Sequence, residues 1–134
     1  MSRKSKGINA ERELVHLFWE RGWPCIRVAG SGSSRYPSPD LLAGNRERMV
    51  AIECKSLKSK AKYFGKQEIQ ELQQFAQQFG AEPWIGLKFA KQDWLFMSLD
   101  NLKDSGKCLV ASLEASKNKG LTIDELIGIF DDKV

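Results

Sequence analysis

Pro39-Asp40, followed further along by Ile52-Glu53-Cys54-Lys55, constrains this chain more than any other feature, because it gives two acids and a lysine in the order P-D…E-x-K. Met49 to Lys55 predicts a strand, since Val50, Ile52 and Cys54 alternate with Met49, Ala51 and Glu53, and a period of two puts Glu53 and Lys55 on one face. Asp40 to Ala43 predicts a second short strand, joined to the first through the turn Gly44-Asn45-Arg46-Glu47-Arg48, so the pair reads as a β-hairpin. Asp40 and Glu53 then lie on paired neighbours. Two carboxylates converging beside a lysine form an oxygen-rich pocket suited to a hard divalent cation such as Mg2+, and a metal beside a lysine suits phosphodiester hydrolysis.

The remaining chain supplies an α/β frame for such a pocket. From about Gly7 to Gly22, Leu14, Val15, Leu17 and Phe18 recur at helical spacing, and Glu11 falls on the face expected to pack inward. Trp23-Pro24 ends this helix, and Cys25 to Ala29 reads as a strand. Gly30 to Ser38 is a loop by composition. A second helix is expected over Gln67 to Phe79, with Ile69, Leu72, Phe75, Ala76 and Phe79 as its apolar stripe and Gly80 as its stop signal. Pro83 to Phe89 and Trp94 to Ser98 read as strands, and a weaker strand signal lies near Lys107 to Ala111. Thr122 and Glu125 form a T-x-x-E capping box that opens a last short helix through Leu126, Ile127 and Ile129. No repeat or linker divides the chain, so residues 1–134 read as one α/β domain with a central mixed sheet flanked by helices.

Charge and cysteine content exclude some classes. The 21 Lys and Arg against 17 Asp and Glu give a net charge of +4, compatible with a polyanionic partner. Cys25, Cys54 and Cys108 are odd in number and lack C-x-x-C spacing, so they are expected to be reduced and buried, with neither a disulfide framework nor a thiolate zinc site. There is no apolar run of about 18 residues, and Met1 to Lys6 leads into a charged helix. The expectation is a soluble, cytoplasmic protein with no membrane partner.

Hydrolysis of a phosphodiester assisted by metal ions needs ligands that fix the cation, a route to an activated water and stabilisation of the leaving oxygen. Glu11, Asp40 and Glu53 would supply the ligands, and Lys55 would orient the water or neutralise charge on the phosphate. Taken singly, each of these residues is better explained blandly, Glu53 and Lys55 as a surface pair on an exposed sheet face; their joint occurrence, with Glu11 on an inward face, reverses that preference. Lys58, Lys60, Lys62 and Lys66, interleaved with Tyr63 and Phe64, read as a basic segment able to bind phosphates or as a solvated loop. Arg3, Lys4 and Lys6 form a second basic cluster, either an arm along DNA or a frayed terminus. Ser31 could bond a phosphate or serve the turn. His16, the one histidine, has no partner in spacing and is expected on the surface, while Phe75 and Phe79 are expected to pack within the subunit or across a dimer.

Five blocks together carry a resemblance: Lys6-Gly7-Ile8-Asn9-Ala10-Glu11-Arg12-Glu13-Leu14, Arg27-Val28-Ala29-Gly30-Ser31, Pro39-Asp40-Leu41-Leu42-Ala43-Gly44, Ile52-Glu53-Cys54-Lys55 and Leu126-Ile127-Gly128-Ile129. In this order they resemble the archaeal Holliday junction resolvases of the Hjc type over almost the whole chain. The resemblance implies a restriction-endonuclease-like nuclease fold, a homodimer, a Mg2+ or Mn2+ cofactor and cleavage of a four-way DNA junction. It makes Glu11, Asp40 and Glu53 the active-site acids and Lys55 the catalytic lysine, matches Ser31 to a loop serine implicated in activity, and matches Arg12 and Arg27 to functional arginines. The Ser33 to Ser38 stretch makes the loop longer than in the shortest relatives. Two rival readings are a nuclease of the same fold acting on linear duplex DNA and a junction-binding module with a degenerate site.

Overall fold

The computed structural model describes residues 3–30 and 35–128, with side chains from Lys6 onward. The chain runs α1 (Arg3–Glu20), β1 (Cys25–Arg27), β2 (Leu41–Gly44), β3 (Met49–Leu57), β4 (Ala61–Gly65), α2 (Lys66–Phe79), β5 (Glu82–Phe89), β6 (Leu95–Ser98), a single 3-10 turn (Leu99–Asn101), β7 (Lys103–Asp104), β8 (Cys108–Ser112), α3 (Leu113–Lys119) and α4 (Ile123–Leu126). The main sheet has the order β1-β2-β3-β5-β6, and β4-β8-β7 form a second, smaller sheet. Among the described residues, only β3 and β5 run parallel, paired from Val50 opposite Glu82 to Leu57 opposite Phe89. That geometry requires a long crossover, which β4 and α2 provide.

The main sheet separates two cores. Leu14 and Phe18 of α1 pack with Val50, Ile52, Phe96 and Leu126 on one side, while Ile69, Leu72 and Ala76 of α2 pack with Ala51, Ile85, Leu87 and Phe64 on the other. Consecutive Val50, Ala51 and Ile52 are therefore all fully buried, as expected of a strand covered on both faces. Phe18 lies with ring centroids 6.3 Å from both Trp23 and Phe96, so Phe18→Ala would cost about 3–5 kcal/mol. At Gly86 of β5 a Cβ would come within 3.1 Å of Ile52 and 3.3 Å of Phe96; the absence of a side chain lets β5 sit tightly beside β3.

Several elements differ from the sequence expectations. The helix expected from Gly7 begins at Arg3, so Arg3, Lys4 and Lys6 form its first turns and are not an extended arm; the side chains of Arg3 and Lys4 lie outside the described residues. The basic segment is not one loop: Lys58 and Lys60 flank a tight connection, and Lys62 sits in β4 with its ammonium 6.0 Å from the Phe64 ring. β8 sustains this strand, pairing from Ala61 opposite Ser112 to Gly65 opposite Cys108. The expected strand near Lys107 to Ala111 is β8, one residue later. Beyond it lies α3, which periodicity did not mark, capped by Ala115 N–H donating to Ser112 Oγ at 3.0 Å.

The capping box is present, with Thr122 N–H donating to Glu125 Oε1 at 2.9 Å and Glu125 N–H to Thr122 Oγ1 at 3.2 Å. The helix it opens stops at Leu126 because Gly128 takes a φ of 84°; Ile129 lies outside the described residues. Cys25 and Cys54 are free and buried as expected, whereas Cys108, at the start of β8, is only half-buried. Its sheet covers the α2 core with one face and leaves the other open. His16 is exposed. Among the described residues, no helix is long and apolar enough to cross a membrane.

Candidate active site

The candidate site sits where β3 leaves the double core. Val50 to Ile52 are fully buried, but the Glu53 and Lys55 side chains are 18% and 27% exposed. Alternation places both on the face of Ala51, the side covered by α2. Asp40 is brought to them by backbone pairing: its N–H donates to Ile52 C=O at 3.0 Å and its C=O accepts from Val28 N–H at 2.8 Å. Asp40 therefore extends β2 by one residue. Its Oδ2 accepts the Cys54 N–H at 2.8 Å, which fixes the carboxylate across the hairpin beside Glu53.

Glu11 approaches from α1 and is held by Arg27, whose Nε donates to Glu11 Oε1 at 2.9 Å. Lys55 Nζ lies 3.6 Å from Glu53 Oε2 and 3.5 Å from Glu68 Oε2. Glu68 belongs to the first turn of α2.

Crowding of like charges sets the electrostatics. Burial and the neighbouring Asp40 charge push the Glu53 carboxyl up to about 8, against the opposing pull of Lys55. The same two causes, burial first, raise Glu11, while Arg27 works to lower it. Burial disfavours the Lys55 ammonium, but Glu53, Glu68 and Asp40 outweigh it and raise its pKa overall. A carboxyl that carries a penalty for ionising beside a second carboxylate is a site in which a hard cation would offset the repulsion. Asp40 and Glu53 fit that group. Among the described residues no three Asp, Glu, His or Cys side chains converge on one point, and Glu11 is separately engaged by Arg27.

Of the other residues singled out by sequence, Lys6, Arg12, Lys58 and Lys60 are exposed, and Arg27 and Lys62 are half-buried. Ser31 lies outside the described residues. Two features escaped sequence reasoning. One is Glu68, which nothing in its local pattern distinguishes from other surface acids of an amphipathic helix. The other is a cleft of about 470 Å³ beside Glu53, walled by Arg35, Tyr36, Glu68, Glu71 and Phe75; the two halves of its wall are far apart in sequence.

Comparison with solved structures places this architecture. The chain superposes on the 1.6 Å structure of Archaeoglobus fulgidus Hjc, a Holliday junction resolvase from an archaeal hyperthermophile, with a TM-score of 0.85 and 36% identity, covering 91% of this chain and 100% of that one. The fold is thus the restriction-endonuclease-like nuclease fold, a mixed sheet flanked by helices.

Sequence comparison narrows the class. A profile described as archaeal Holliday junction resolvase (hjc) matches residues 2–134. The crossover junction endodeoxyribonuclease Hjc of Archaeoglobus fulgidus is 39% identical over 127 residues, 95% of this chain and 93% of that protein. The protein of the same name from Sulfolobus acidocaldarius is 36% identical over 138 aligned positions, 100% of this chain and 94% of its own length. This chain belongs to the archaeal Holliday junction resolvase (Hjc) family.

Proposed function

We propose that this chain is a crossover junction endodeoxyribonuclease that resolves four-way DNA junctions by paired, metal-dependent hydrolysis of two phosphodiesters. The observation that carries the reading is the convergence of Asp40, Glu53 and Lys55 at the end of β3 in a member of this family. Asp40 and Glu53 are the proposed metal ligands, with Glu11 as the third acid. Mg2+ is the proposed ion, and Mn2+ is expected to substitute, because both accept hard oxygen donors. A bound divalent cation would supply charge neutralisation at the phosphate and lower the pKa of the attacking water.

The chain's own residues do the rest. The Cys54 N–H holds the Asp40 carboxylate in place, so its position is preorganised. Lys55 carries the positive charge that offsets the charge growing on phosphate and leaving oxygen as the phosphorus–oxygen bond to that oxygen breaks. Lys58, Lys60 and Lys62, at the exit of β3 and in β4, together with Lys6, Arg12, Arg27, Arg3 and Lys4 near α1, are proposed to engage DNA phosphates. Ser31 is proposed to contact the substrate.

A homodimer is proposed because its twofold axis would present two equivalent sites to the two equivalent strands of a junction. Phe75 and Phe79 on α2 support it: their rings stack at 5.1 Å, and Phe79 is 51% exposed. The proposed compartment is the cytoplasm, where its DNA substrate would be met.

The deciding experiment incubates the protein with a four-way junction, a linear duplex of matching sequence and a flap, each with and without Mg2+. Symmetric paired incision of the junction, dependent on Mg2+, is the expected result. Equal cutting of the linear duplex would assign a nuclease without junction selectivity, and binding without cutting in Mg2+ and Mn2+ would reduce the chain to a junction-binding module.

A further inference from the structure

Lys55 is the residue with most to do at the phosphate, yet its position is shared between two carboxylates of different origin. Glu53 shares its strand and face; Glu68 comes from the first turn of α2, across the cleft. The distances are nearly equal, 3.6 Å to Glu53 and 3.5 Å to Glu68. The partners are not equivalent in use. In the nuclease reading, on which this inference rests, Glu53 would be one of the residues that hold the divalent cation. Its hold on Lys55 would then be weaker when Lys55 must meet the phosphate. Glu68 has no such second task.

Glu68 is also well placed to keep its position. It stands at the third residue of α2, where the unpaired N–H groups and the positive end of the helix dipole favour a carboxylate. Ile69 and Leu72, one and four residues further along the helix and buried at 5% and 7% exposure, anchor that end of it in the core. Glu68 therefore holds Lys55 from a rigid element, and not from a loop.

We propose that Glu68 is a positioning residue for the cleavage reaction: it tethers the Lys55 ammonium above the cleft between β3 and α2, and keeps it aimed at the scissile phosphate when Glu53 is engaged by the cation. It touches neither metal nor phosphate. A long lysine side chain freed of its tether would sample several rotamers, and misplacement of a reacting group by about 1 Å can cost about a hundredfold in rate.

The test compares wild type, Glu68→Gln and Glu68→Asp on a synthetic four-way junction in Mg2+. Single-turnover cleavage at saturating enzyme should fall about tenfold or more in Glu68→Gln, with junction Kd within twofold and the melting temperature unchanged. Glu68→Asp, one methylene shorter with its charge kept, should recover part of the rate. A second readout needs neither metal nor turnover: in metal-free protein carrying Glu53→Gln, which removes the Glu53 charge as the cation would, 15N relaxation of the Lys55 Nζ should show a more mobile ammonium when Glu68→Gln is added. Wild-type cleavage rate in Glu68→Gln, a loss explained wholly by weaker junction binding, or a slowed variant whose Lys55 signal is unmoved would each overturn the assignment. Failure of the wild type itself to cut the junction would instead overturn the nuclease reading, so the two failures are separable.

Discussion

Glu53→Gln should stabilise the metal-free protein while removing its activity. Glutamine keeps the shape of the side chain and deletes the charge that burial and Asp40 resist. In the folded protein the Glu53 carboxyl is pushed up to about 8, from an ordinary value of 4.5. Below 4.5 folded and unfolded chains both hold the proton, and the group makes no net contribution. Between 4.5 and 8 the unfolded chain releases its proton while the folded chain retains it, so stability falls as pH rises, until the folded carboxyl also ionises above 8. The gap between 8 and 4.5, at about 1.4 kcal/mol per pH unit, sets a ceiling of about 5 kcal/mol. The gain should be smaller, about 1–3 kcal/mol, because glutamine leaves an amide to be satisfied in a half-dry site. For a chain of this size that corresponds to a melting temperature higher by about 4–10 °C. Calorimetric melts in EDTA at pH 4, 6, 8 and 9 would measure it, with the two proteins converging at pH 4, already apart at pH 6 and furthest apart at pH 8 and 9. A variant that melts at or below wild type at pH 8 and 9 would refute the claim that charge crowding at Glu53 destabilises the apo fold.

Protons and cation should compete for Glu53, so the Mg2+ concentration giving half-maximal cleavage is expected to fall by up to about tenfold per pH unit from pH 6 to 8, and then level off; a flat requirement, measured by cleavage titrations at each pH, would exclude Glu53 as a ligand. Asp40→Asn should lower cleavage by about a thousandfold or more while junction affinity stays within a few-fold, because the asparagine oxygen can still accept the Cys54 N–H and the fold is preserved. Phe79→Asp should convert a species of twice the 15.2 kDa chain mass into a monomer by light scattering, and a wild type that is already monomeric at micromolar concentration would defeat the dimer. Replacing Lys60 and Lys62 together with alanine should flatten the log–log salt dependence of junction binding by about 0.9 per lost phosphate contact, and an unchanged slope in equilibrium titrations would place the DNA elsewhere.

What could be read from the chain follows the range of the interactions involved. β3 was legible because its charges interrupt an apolar run, and the β2–β3 hairpin because Asn45 closes a short turn, accepting from the Glu47 and Arg48 N–H groups. Position 40 was legible through its proline and its place in that hairpin. α2 was legible because Ile69, Leu72 and Ala76 repeat at helical spacing and Gly80, at φ 88°, stops the helix. By contrast, β4 and β8 form their sheet through pairing between segments far apart, and Lys62 beside Tyr63 gives no period-two signal of its own. α3 is only seven residues long, but Ser112 ahead of it, Lys117 and Lys119 in its last turn and Gly120 after it are start and stop signals that could have been read. Glu68 was not legible by any local rule, because its significance arises only where α2 crosses the end of β3.

The site and the two-sided core are parts of one physical arrangement. Asp40, Glu53 and Lys55 put like and unlike charges into a half-buried space, which costs the apo protein stability. Such a group holds its geometry only if the backbone beneath it cannot relax to spread the charges apart. β3 meets that requirement: it is hydrogen-bonded to β2 on one side and to β5 on the other. Both of its faces are packed immediately before Glu53, by α1 residues against Val50 and Ile52 and by α2 residues against Ala51. A strand covered on one face could twist away from the repulsion. With both faces held, the repulsion remains in the side chains, where the proposed divalent cation would relieve it and so draw binding energy from that crowding.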